Sequence, residues 1–378
     1  MGRAPRVVLY MQRLVIAAPT GVQRYASEIV PELVRAAPDL DIELCSGWVW
    51  RGPRPDLGVR LSHPFAPRRT LHLAWTLTGR PRIERVLGRF DLLHPLAPIY
   101  PVPSAAPQVI TINDLLPLQH PDWYPGLTGH AARRSIVHHA RVAREVIVPS
   151  AATADDVERT LGVPRERITV IFDGVSGAFS ADLDDSAGAA VRARFGLHDR
   201  PYVAVVGAVS ARKNLEVLFA ALDVLRRRGA EVPLLVAVGG DGEGADRIRA
   251  EATRLAVEAC VVFTGWVPDE ELRLLLAGAD ALVHPSLFEG FGLTPLEAMA
   301  AGIPVVSSTG GSLPEVVGDA GLLLDPHDPT AWAEAIERVV SDRELRDTLV
   351  AAGRERAARF TWADTARRTI DVYRRVLG

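Results

Sequence analysis

Short apolar runs of the kind that form buried strands alternate with helical patterns along almost the whole chain. Parallel strands joined by helices form sheets that are covered on both faces, so each strand is apolar throughout. The alternation occurs in both halves, with strand-like runs at 7–10, 109–112, 145–148, 168–175, 202–207, 234–238, 260–264, 282–283, 305–307 and 321–324. This pattern predicts an α/β protein of two doubly wound, Rossmann-like domains that face each other across a cleft.

A stretch of small and polar residues at 176–190 separates the two halves. Its composition is that of a linker, and a chain of 378 residues is long enough for two domains that each have a core. We therefore expect a first domain over residues 1–180 and a second over residues 190–360. A last amphipathic helix is expected to start at Thr361 and to run to Leu377.

The composition limits the kind of partner and the compartment. The net charge of -3 gives no sign of nucleic-acid binding, but the first 180 residues carry more arginine than acid, which suits anionic partners such as a bilayer surface. Cys45 and Cys260 lack the spacing of a disulfide or metal site, which favours a reducing cytosol. Neither a membrane-spanning run of roughly eighteen apolar residues nor a secretory segment is evident. We expect a cytoplasmic protein, and peripheral contact with the inner face of the membrane stays open.

The stretch 280–304 combines a strand, an acidic loop with two glycines and a helix start. Gly290 and Gly292 allow a tight turn in which backbone N–H groups are presented to a ligand. At the carboxyl end of a strand, such a turn suits the binding of a hydroxyl or a phosphate group. Glu289 stands in this loop and caps no obvious helix, so we interpret it as a ligand-binding carboxylate.

The helix after this loop has two interpretations. Thr294 is expected at the N-cap, with Pro295 at the first helical position and Glu297 at the third. In such a capping box, Glu297 would bond to the backbone N–H of Thr294 and take no part in chemistry. Alternatively, Glu297 is a second carboxylate that flanks the same pocket as Glu289. The helix alone does not decide between them.

A second candidate site follows the strand at 202–207, which ends in Gly207. Arg212 and Lys213 stand where a strand-to-helix turn aims cations at an anion, and Asn214 could cap the helix that follows. Lys213 is the one lysine among 43 basic residues, so a compact ammonium stands here in a chain that otherwise uses arginine. These residues predict a phosphate site.

The first half offers candidates that each have a structural alternative. Gly21 precedes a helix in the first strand–helix unit, where the backbone can approach a ligand. Arg24 could contact an acceptor or a phosphate, or it could be a solvated residue of the first helical turn. Asp114 could orient an acceptor or cap a helix. His120 begins a His-Pro-Asp-Trp segment that could lie over an acceptor site, or it could be an incidental loop residue.

The segment 129–144 has a helical pattern and carries four arginines and three histidines. It could bind anionic lipid headgroups or a lipid pyrophosphate. A plain solvated helix face is the alternative.

Glycines also follow the strand at 234–238 and raise the question of dinucleotide binding. The spacing of Gly239, Gly240, Gly242 and Gly244 departs from the Rossmann fingerprint, and no ribose-binding acid stands at the end of the next strand. An oxidoreductase is therefore disfavoured.

Taken in order, three features resemble the motifs of the family-four retaining glycosyltransferases: the Gly21 loop, the segment 212–214, and Glu289 with Glu297, which seven residues separate. This family, the glycosyl transferases group 1, has the GT-B fold and includes bacterial mannosyl- and rhamnosyltransferases of surface polysaccharide assembly. The resemblance covers nearly the whole chain. It implies that the first domain binds the acceptor, that the second binds the nucleotide sugar, and that the last helix crosses back onto the first domain.

The resemblance also implies roles for the matching residues. Arg212 and Lys213 would hold the donor diphosphate as it leaves, Glu289 would contact the transferred sugar, and Glu297 would hold the nucleotide ribose. Many members have a histidine beside the reacting sugar where this chain has Asn113, whose amide can still hydrogen-bond a sugar hydroxyl. The implied donor site is Gly21, Gly207, Arg212, Lys213, Trp266, Val267, Glu289, Gly290, Phe291, Gly292, Leu293 and Glu297, with Trp266 and Val267 at the nucleobase. The implied catalytic residues are Glu289, Arg212, Lys213, Asn113 and Asp114, and Arg24 and His120 would meet the acceptor.

The expected function is transfer of a hexose, with retention, from a nucleotide-diphosphate sugar to a glycan, lipid-linked or small-molecule acceptor, and GDP-mannose is the first guess. Arg212 and Lys213 would neutralise the leaving diphosphate in place of a metal, so neither a metal nor a cofactor is expected.

Two alternative functions stay open. A nucleotide-sugar epimerase or hydrolase of the same fold would need a dedicated acid and base pair, which the sequence does not offer. A non-catalytic nucleotide-sugar-binding protein is kept open by Asn113.

Overall fold

The computed structural model describes residues 3–12, 21–46, 57–62, 68–97, 99–180, 185–198 and 200–378. The chain forms two compact units, one of Met1–Gly174 with Thr361–Gly378 and one of Val175–Phe360. The part of the predicted glycine loop that precedes Gly21 lies outside the described residues.

The first unit is built on parallel strands with helices between them. Its strands are β1 (Arg6–Met11), β2 (Asp41–Ser46), β3 (Arg60–Ser62), β4 (Leu92–Ala97), β5 (Val109–Thr111), β6 (Glu145–Val148) and β7 (Ile168–Val170). Its helices before Gly174 are α1 (Gly21–Ala36), α2 (Arg68–Thr78), α3 (Glu84–Leu87), α4 (Leu116–Gln119), α5 (Gly126–Val142) and α6 (Ala151–Leu161), with 3-10 turns at Pro121–Trp123 and Arg165–Arg167. The strand orders are β3-β2-β1-β4 and β5-β6-β7, and a parallel bridge pairs Leu93 with Gln108 between them.

The second unit has one sheet of six parallel strands. They are β8 (Tyr202–Val206), β9 (Leu234–Val238), β10 (Val261–Gly265), β11 (Ala281–His284), β12 (Val305–Ser308) and β13 (Leu322–Leu324), in the order β10-β9-β8-β11-β12-β13. The helices are α7 (Asp185–Arg194), α8 (Leu215–Arg228), α9 (Ala245–Arg254), α10 (Asp269–Ala277), α11 (Leu293–Ala300), α12 (Leu313–Val317), α13 (Pro329–Ser341) and α14 (Arg343–Ala357), with 3-10 turns at Gly177–Ser180, Ala211–Lys213 and Glu258–Cys260. This is the doubly wound Rossmann order. All strands are parallel, and successive strands are added on one side of β8 up to β10 and on its other side from β11 onward.

Burial explains why the apolar runs predicted the strands well. In β1, Val7, Val8 and Leu9 are fully buried, as expected of a parallel strand covered on both faces. In the second unit, helices α8 and α13 pack together, and each supplies a large buried side chain, Phe219 and Trp332 respectively. The predicted α/β class and the parallel sheets are confirmed.

The predicted linker at 176–190 is wrong in part, because residues 185–194 form α7. This helix packs on α10, and a Cβ atom added at Gly188 would meet Leu274 at 3.8 Å. Residues 185–194 are therefore packed as a helix against α10 and are not a linker. The division between the units falls at Gly174 and Val175, ahead of this segment.

The last helix, α15 (Trp362–Leu377), belongs to the first unit, as expected. The Thr361 side chain accepts a hydrogen bond from the backbone N–H of Asp364 and so caps the helix. Helix α15 packs along α1, where Trp362 meets the Tyr25 ring edge-on at 5.7 Å between centroids. Further along, the Tyr373 hydroxyl lies 2.6 Å from Nδ1 of buried His94.

Across the part of the chain that the structure describes, every helix is too short or too polar to cross a bilayer.

Candidate active site

The candidate site of the second unit lies where the winding of the sheet reverses. Strands β8 and β11 pair in parallel, with Ala281 opposite Val203 and Leu282 opposite Ala204. Ligands of open α/β sheets bind outside the carboxyl ends of the strands at such a reversal. The turn after β8 carries Arg212 and Lys213, and the loop after β11 carries Glu289, so the topology brings together groups that are far apart in sequence.

The turn after β8 is shaped around Lys213, which is 7% exposed. Gly207 has φ 135°, and a Cβ atom there would lie 2.6 Å from Cε of Lys213. Glycine is therefore required at this position both by the backbone and by the lysine stem. Gly207 thus leaves room for Lys213, and its place in the donor site stays a prediction.

Asn214 joins the two loops. Its side-chain amide donates hydrogen bonds to the carbonyls of Pro285, at 3.1 Å, and Pro326, at 2.8 Å. Asn214 occupies the N-cap position of α8 but makes no side-chain cap, so its predicted capping role is wrong. Its αL backbone and its distant partners instead hold the cationic turn against the loop after β11.

Glu289 lies at the centre of a charged cluster formed with Arg212, Lys213 and His284. Its Oε2 lies 2.6 Å from Arg212, and its Oε1 lies 2.8 Å from Lys213 Nζ and 3.3 Å from His284 Nε2. The backbone supports the arrangement, because the Leu287 N–H donates to the Arg212 carbonyl at 2.9 Å. One carboxylate thus holds both cations of the predicted phosphate site.

Burial and charge together set the protonation of this cluster. Burial alone would raise the pKa of the Glu289 carboxyl, but Arg212 and Lys213 outweigh burial and hold this pKa well below its usual range. Burial lowers the pKa of Lys213, and the Glu289 carboxylate opposes that shift. Burial and the neighbouring Lys213 lower the pKa of His284 to about 4, so this ring is neutral at pH 7. Two cations against one carboxylate leave the cluster with an attraction for an anion.

Helix α11 starts earlier than the sequence predicts. Gly292, with φ 119°, is the N-cap, and Leu293 is the first helical residue. The predicted capping box of Thr294 and Glu297 is therefore wrong, because the left-handed glycine ends the loop before Thr294. Glu297 lies in the helix at 3% exposed.

The loop before α11 rests on the segment that leads into α12. The Ser312 hydroxyl donates to the carbonyls of Glu289, at 2.9 Å, and Phe291, at 2.5 Å. A Cβ atom at Gly311 would lie 2.4 Å from the Glu289 carbonyl, and one at Gly310 would lie 2.6 Å from the Leu287 carbonyl. These two glycines allow the backbone to support the Glu289 loop from behind. Gly290 and Phe291 are buried within the loop.

The turn after β10 presents Trp266 and Val267 in different ways. Trp266 is 49% exposed, whereas Val267 is 7% exposed. The backbone N–H of Gly239, at the end of β9, donates to the Gly265 carbonyl at 3.0 Å. A Cβ atom at Gly240 would lie 3.9 Å from Cβ of Trp266, so the indole stands beside the glycine turn that follows β9. An exposed aromatic ring in this position is available for stacking.

The predicted residues of the first unit lie at the starts of α1 and α4. Gly21 is the exposed first residue of α1, and Arg24 follows one turn later. Asn113 and Asp114 come after β5, where Asp114 Oδ1 accepts from the backbone N–H of Leu116 at 3.0 Å. Asp114 thus binds the first residue of α4, but Leu115 is the N-cap.

Two aromatic contacts complete this part of the first unit. The Tyr25 hydroxyl lies 3.4 Å from Thr111 Oγ1, which links α1 to the end of β5. The His120 ring stacks on Trp123 with 4.1 Å between centroids. His120 therefore belongs to an aromatic pair.

The basic segment at 129–144 forms most of α5, as its pattern predicts. A cavity of about 590 Å³ lies between α5 and α2. Its lining combines apolar side chains with cations and includes Leu77, Val142, Arg133, Arg134, His138 and Arg141.

The sequence interpretation missed His284 and Ser312. His284 is a polar residue that closes an apolar strand at its carboxyl end, five residues before Glu289, and this signal could have identified it. Ser312 gives no such signal, because its partners lie more than twenty residues away in sequence.

Comparison with known proteins gives the family. Residues 19–177 match the family described as Glycosyltransferase Family 4, and residues 190–356 match the family described as Glycosyl transferases group 1. The chain is similar to O-antigen chain mannosyltransferase B of Escherichia coli, at 28% identity over 94% of this chain and 96% of that protein. It is also similar to a D-inositol 3-phosphate glycosyltransferase of Salinispora arenicola, at 31% identity over 78% of this chain and 70% of that protein.

A solved structure shares the fold. The crystal structure of WaaG, a glycosyltransferase involved in lipopolysaccharide biosynthesis, superposes with a TM-score of 0.74 at 18% identity, over 97% of this chain and 99% of that chain. The matched family models, the related sequences and the common fold agree. The chain therefore belongs to the family-four glycosyltransferases of the GT-B fold and is a glycosyltransferase.

Proposed function

We propose that this glycosyltransferase moves a hexose from a nucleotide-diphosphate sugar to its acceptor with retention at the anomeric carbon, and that mannose from GDP-mannose is the first donor to test. The observation that carries the proposal is the cluster at the reversal of the second sheet. There, Glu289 lies 2.6 Å from Arg212 and 2.8 Å from Lys213. The similarity to the Escherichia coli protein, a mannosyltransferase, supports mannose as the sugar to test first.

The two cations suit a leaving diphosphate. The guanidinium of Arg212 can bind phosphate oxygens in a fork, and the ammonium of Lys213 adds a compact charge. Charge that develops on the leaving group is stabilised by cations fixed in advance in a largely buried site. We propose that Arg212 and Lys213 supply this stabilisation without a metal or a cofactor, so transfer is expected to persist in EDTA.

The loop and the start of α11 suit the sugar and the ribose. The Glu289 carboxylate would accept hydrogen bonds from sugar hydroxyls once the diphosphate attracts the two cations. Backbone N–H groups of Gly290, Phe291, Gly292 and Leu293, at the start of α11, are proposed to donate hydrogen bonds to hydroxyl oxygens of the sugar. Glu297, four residues into the helix, is proposed for the ribose.

The nucleobase is proposed to bind beside Trp266. The half-exposed indole offers a stacking surface, and Val267 anchors the turn because it is buried. Backbone groups of this turn would select the base.

The acceptor is proposed to be a glycan, a lipid-linked sugar or a small molecule. Asn113 and Asp114, with Arg24 and His120, are proposed to face it. The cavity between α2 and α5 combines apolar side chains with arginines, which suits peripheral contact with a membrane. No carboxylate is proposed as the nucleophile of a double displacement. Attack by the acceptor on the face of the sugar that the diphosphate leaves accounts for retention.

The test is a binding titration of the purified protein with GDP, UDP, dTDP and ADP and with their common sugar conjugates. Tight binding of one nucleotide, lost in Lys213→Ala, is the expected result and identifies the base. The matched control is Arg227→Ala, which removes a cation from the outer face of α8, where its partner is Asp223. Binding of no nucleotide by the wild type, or equal binding by Lys213→Ala, would contradict the proposal.

A further inference from the structure

Glu289 must change partners when a donor binds. In the structure its carboxylate is held by Arg212 and Lys213, the same cations that are proposed to bind the diphosphate. A diphosphate carries more negative charge than one carboxylate and will compete for both cations. Glu289 would then lose the contacts that fix its orientation at the moment when it has to bind the sugar.

His284 is a partner of Glu289 that a donor cannot reach. It is the last residue of β11 and is 1% exposed. Its Nε2 lies 3.3 Å from Glu289 Oε1 and 3.2 Å from Ser286 Oγ. Because the ring is buried, a ligand at the carboxyl ends of the strands need not displace this contact.

The surroundings of the His284 ring decide which nitrogen carries the proton. Nδ1 is buried and has no hydrogen-bond partner among the residues that the structure describes. A proton on Nδ1 would be a buried donor without a partner, and it would turn the lone pair of Nε2 toward a carboxylate. A proton on Nε2 instead points at Glu289 and Ser286. The low pKa of the ring, about 4, keeps it neutral at pH 7, with one N–H to donate.

We infer that His284 is a positioning residue for Glu289, and that its Nε2–H holds one carboxylate oxygen in place while Arg212 and Lys213 turn to the donor diphosphate. The inference rests on the proposed function, since it assigns a task within the same donor site. It adds a buried residue of β11 to a site otherwise formed by loops and the start of α11.

Three substitutions separate the hydrogen bond from the shape of the ring. Glutamine places an amide N–H close to where Nε2 lies, asparagine places one nearer to Nδ1, and leucine has none. With the donor identified by titration, or with GDP-mannose as the first probe, we expect His284→Gln to keep kcat within about threefold. We expect His284→Asn and His284→Leu to lose kcat about tenfold or more, while the donor KM changes less than twofold.

Three results would contradict the inference about His284. An unchanged kcat in His284→Leu would overturn the inference. So would a loss in all three variants with a matching fall of the melting temperature, because His284 would then serve the fold alone. A rise of the donor KM without a change of kcat would also overturn it, because His284 would then contribute to donor binding instead.

The pH dependence gives a readout that a structural role would not move. The charged and titratable groups that face Glu289 are Arg212 and Lys213 from the turn after β8 and His284 from β11. Once the diphosphate occupies the cations, loss of the Nε2–H destabilises the ionised carboxylate. The acid limb of the kcat profile is therefore expected to move up by about half a pH unit in His284→Leu and to stay in His284→Gln.

The ring itself can be observed without any substrate. Two-bond nitrogen–proton correlation of protein labelled with [15N]histidine, assigned with His284→Gln, should show a neutral Nε2–H tautomer at pH 7. An Nδ1–H tautomer or a charged ring in an enzyme that binds its nucleotide would overturn the inference and leave the proposed function standing. A wild type that binds no nucleotide would overturn both.

Discussion

Replacing Gly207 by alanine should disturb the donor site through Lys213. Gly207 has φ 135°, which an L-residue adopts only under strain, and the added Cβ would lie 2.6 Å from Cε of Lys213. Lys213 is buried and paired with Glu289, so it cannot move aside without losing that pair. The substitution therefore combines a backbone effect with a steric effect.

The two effects can be given magnitudes and then separated. Backbone strain of this kind costs about 1–3 kcal/mol, and overpacking of a buried contact costs about 1–3 kcal/mol. We expect Gly207→Ala to lower the free energy of unfolding by about 3 kcal/mol in the wild type. In a Lys213→Ala background only the backbone part remains, which gives a coupling energy of about 1–2 kcal/mol between the two positions.

The assay is urea unfolding of the four proteins of this double-mutant cycle, together with nucleotide titration of each. Gly207→Ala should also weaken nucleotide binding about tenfold or more, because the displaced ammonium no longer meets the diphosphate. Gly229→Ala is the matched control, since Gly229 has φ 70° with nothing within 4 Å of its added Cβ, and it should show no coupling to Lys213. Additive effects at Gly207 and Lys213, or full nucleotide affinity in Gly207→Ala, would refute this explanation of the glycine.

Three further predictions concern single side chains. Glu289→Gln should reduce sugar transfer and at the same time tighten binding of the free nucleoside diphosphate, measured by calorimetry, because Arg212 and Lys213 lose their internal counter-ion; weaker binding would contradict this. Trp266→Ala should weaken nucleotide binding by about 1 kcal/mol, the cost of a lost stacking contact, with little change in melting temperature because the indole is 49% exposed; unchanged affinity would remove Trp266 from the base site. Burial raises the pKa of Asp173 from 3.8 to about 8, so the native state keeps a proton that the unfolded state releases across this range, and stability is lost as the pH rises. In urea unfolding, the advantage of Asp173→Asn over the wild type should therefore grow by about 3 kcal/mol from pH 5.5 to pH 8, and a constant difference would contradict it.

The sequence predicts most of the fold because the physics of parallel strands is local. A strand covered on both faces must be apolar along its length, and β1 and β8 are recognisable for that reason. The linker prediction failed in part because composition does not distinguish a flexible segment from a short helix such as α7, which packs against α10. Only the folded structure shows whether such a segment is a linker or a helix.

The candidate site was predictable as a list of residues but not as an arrangement. Lys213 and Glu289 are recognisable from their place after strands, yet their contact at 2.8 Å depends on β8 and β11 being neighbours in the sheet. The capping box failed because Thr294 and Glu297 fit the pattern, whereas the conformation of Gly292 decides where the helix starts. Asn214 contacts Pro285 and Pro326, which are far away in sequence, and no local pattern encodes such contacts.

The most direct measurement for the central claim is a crystal structure of the protein with the nucleotide that the titration identifies. The account predicts that phosphate oxygens of the ligand lie within hydrogen-bonding distance of Arg212 and Lys213, that the base lies beside Trp266, and that Glu289 has left both cations but still contacts His284. A nucleotide bound elsewhere, or a diphosphate bound while Glu289 keeps its ion pairs to both cations, would contradict the account.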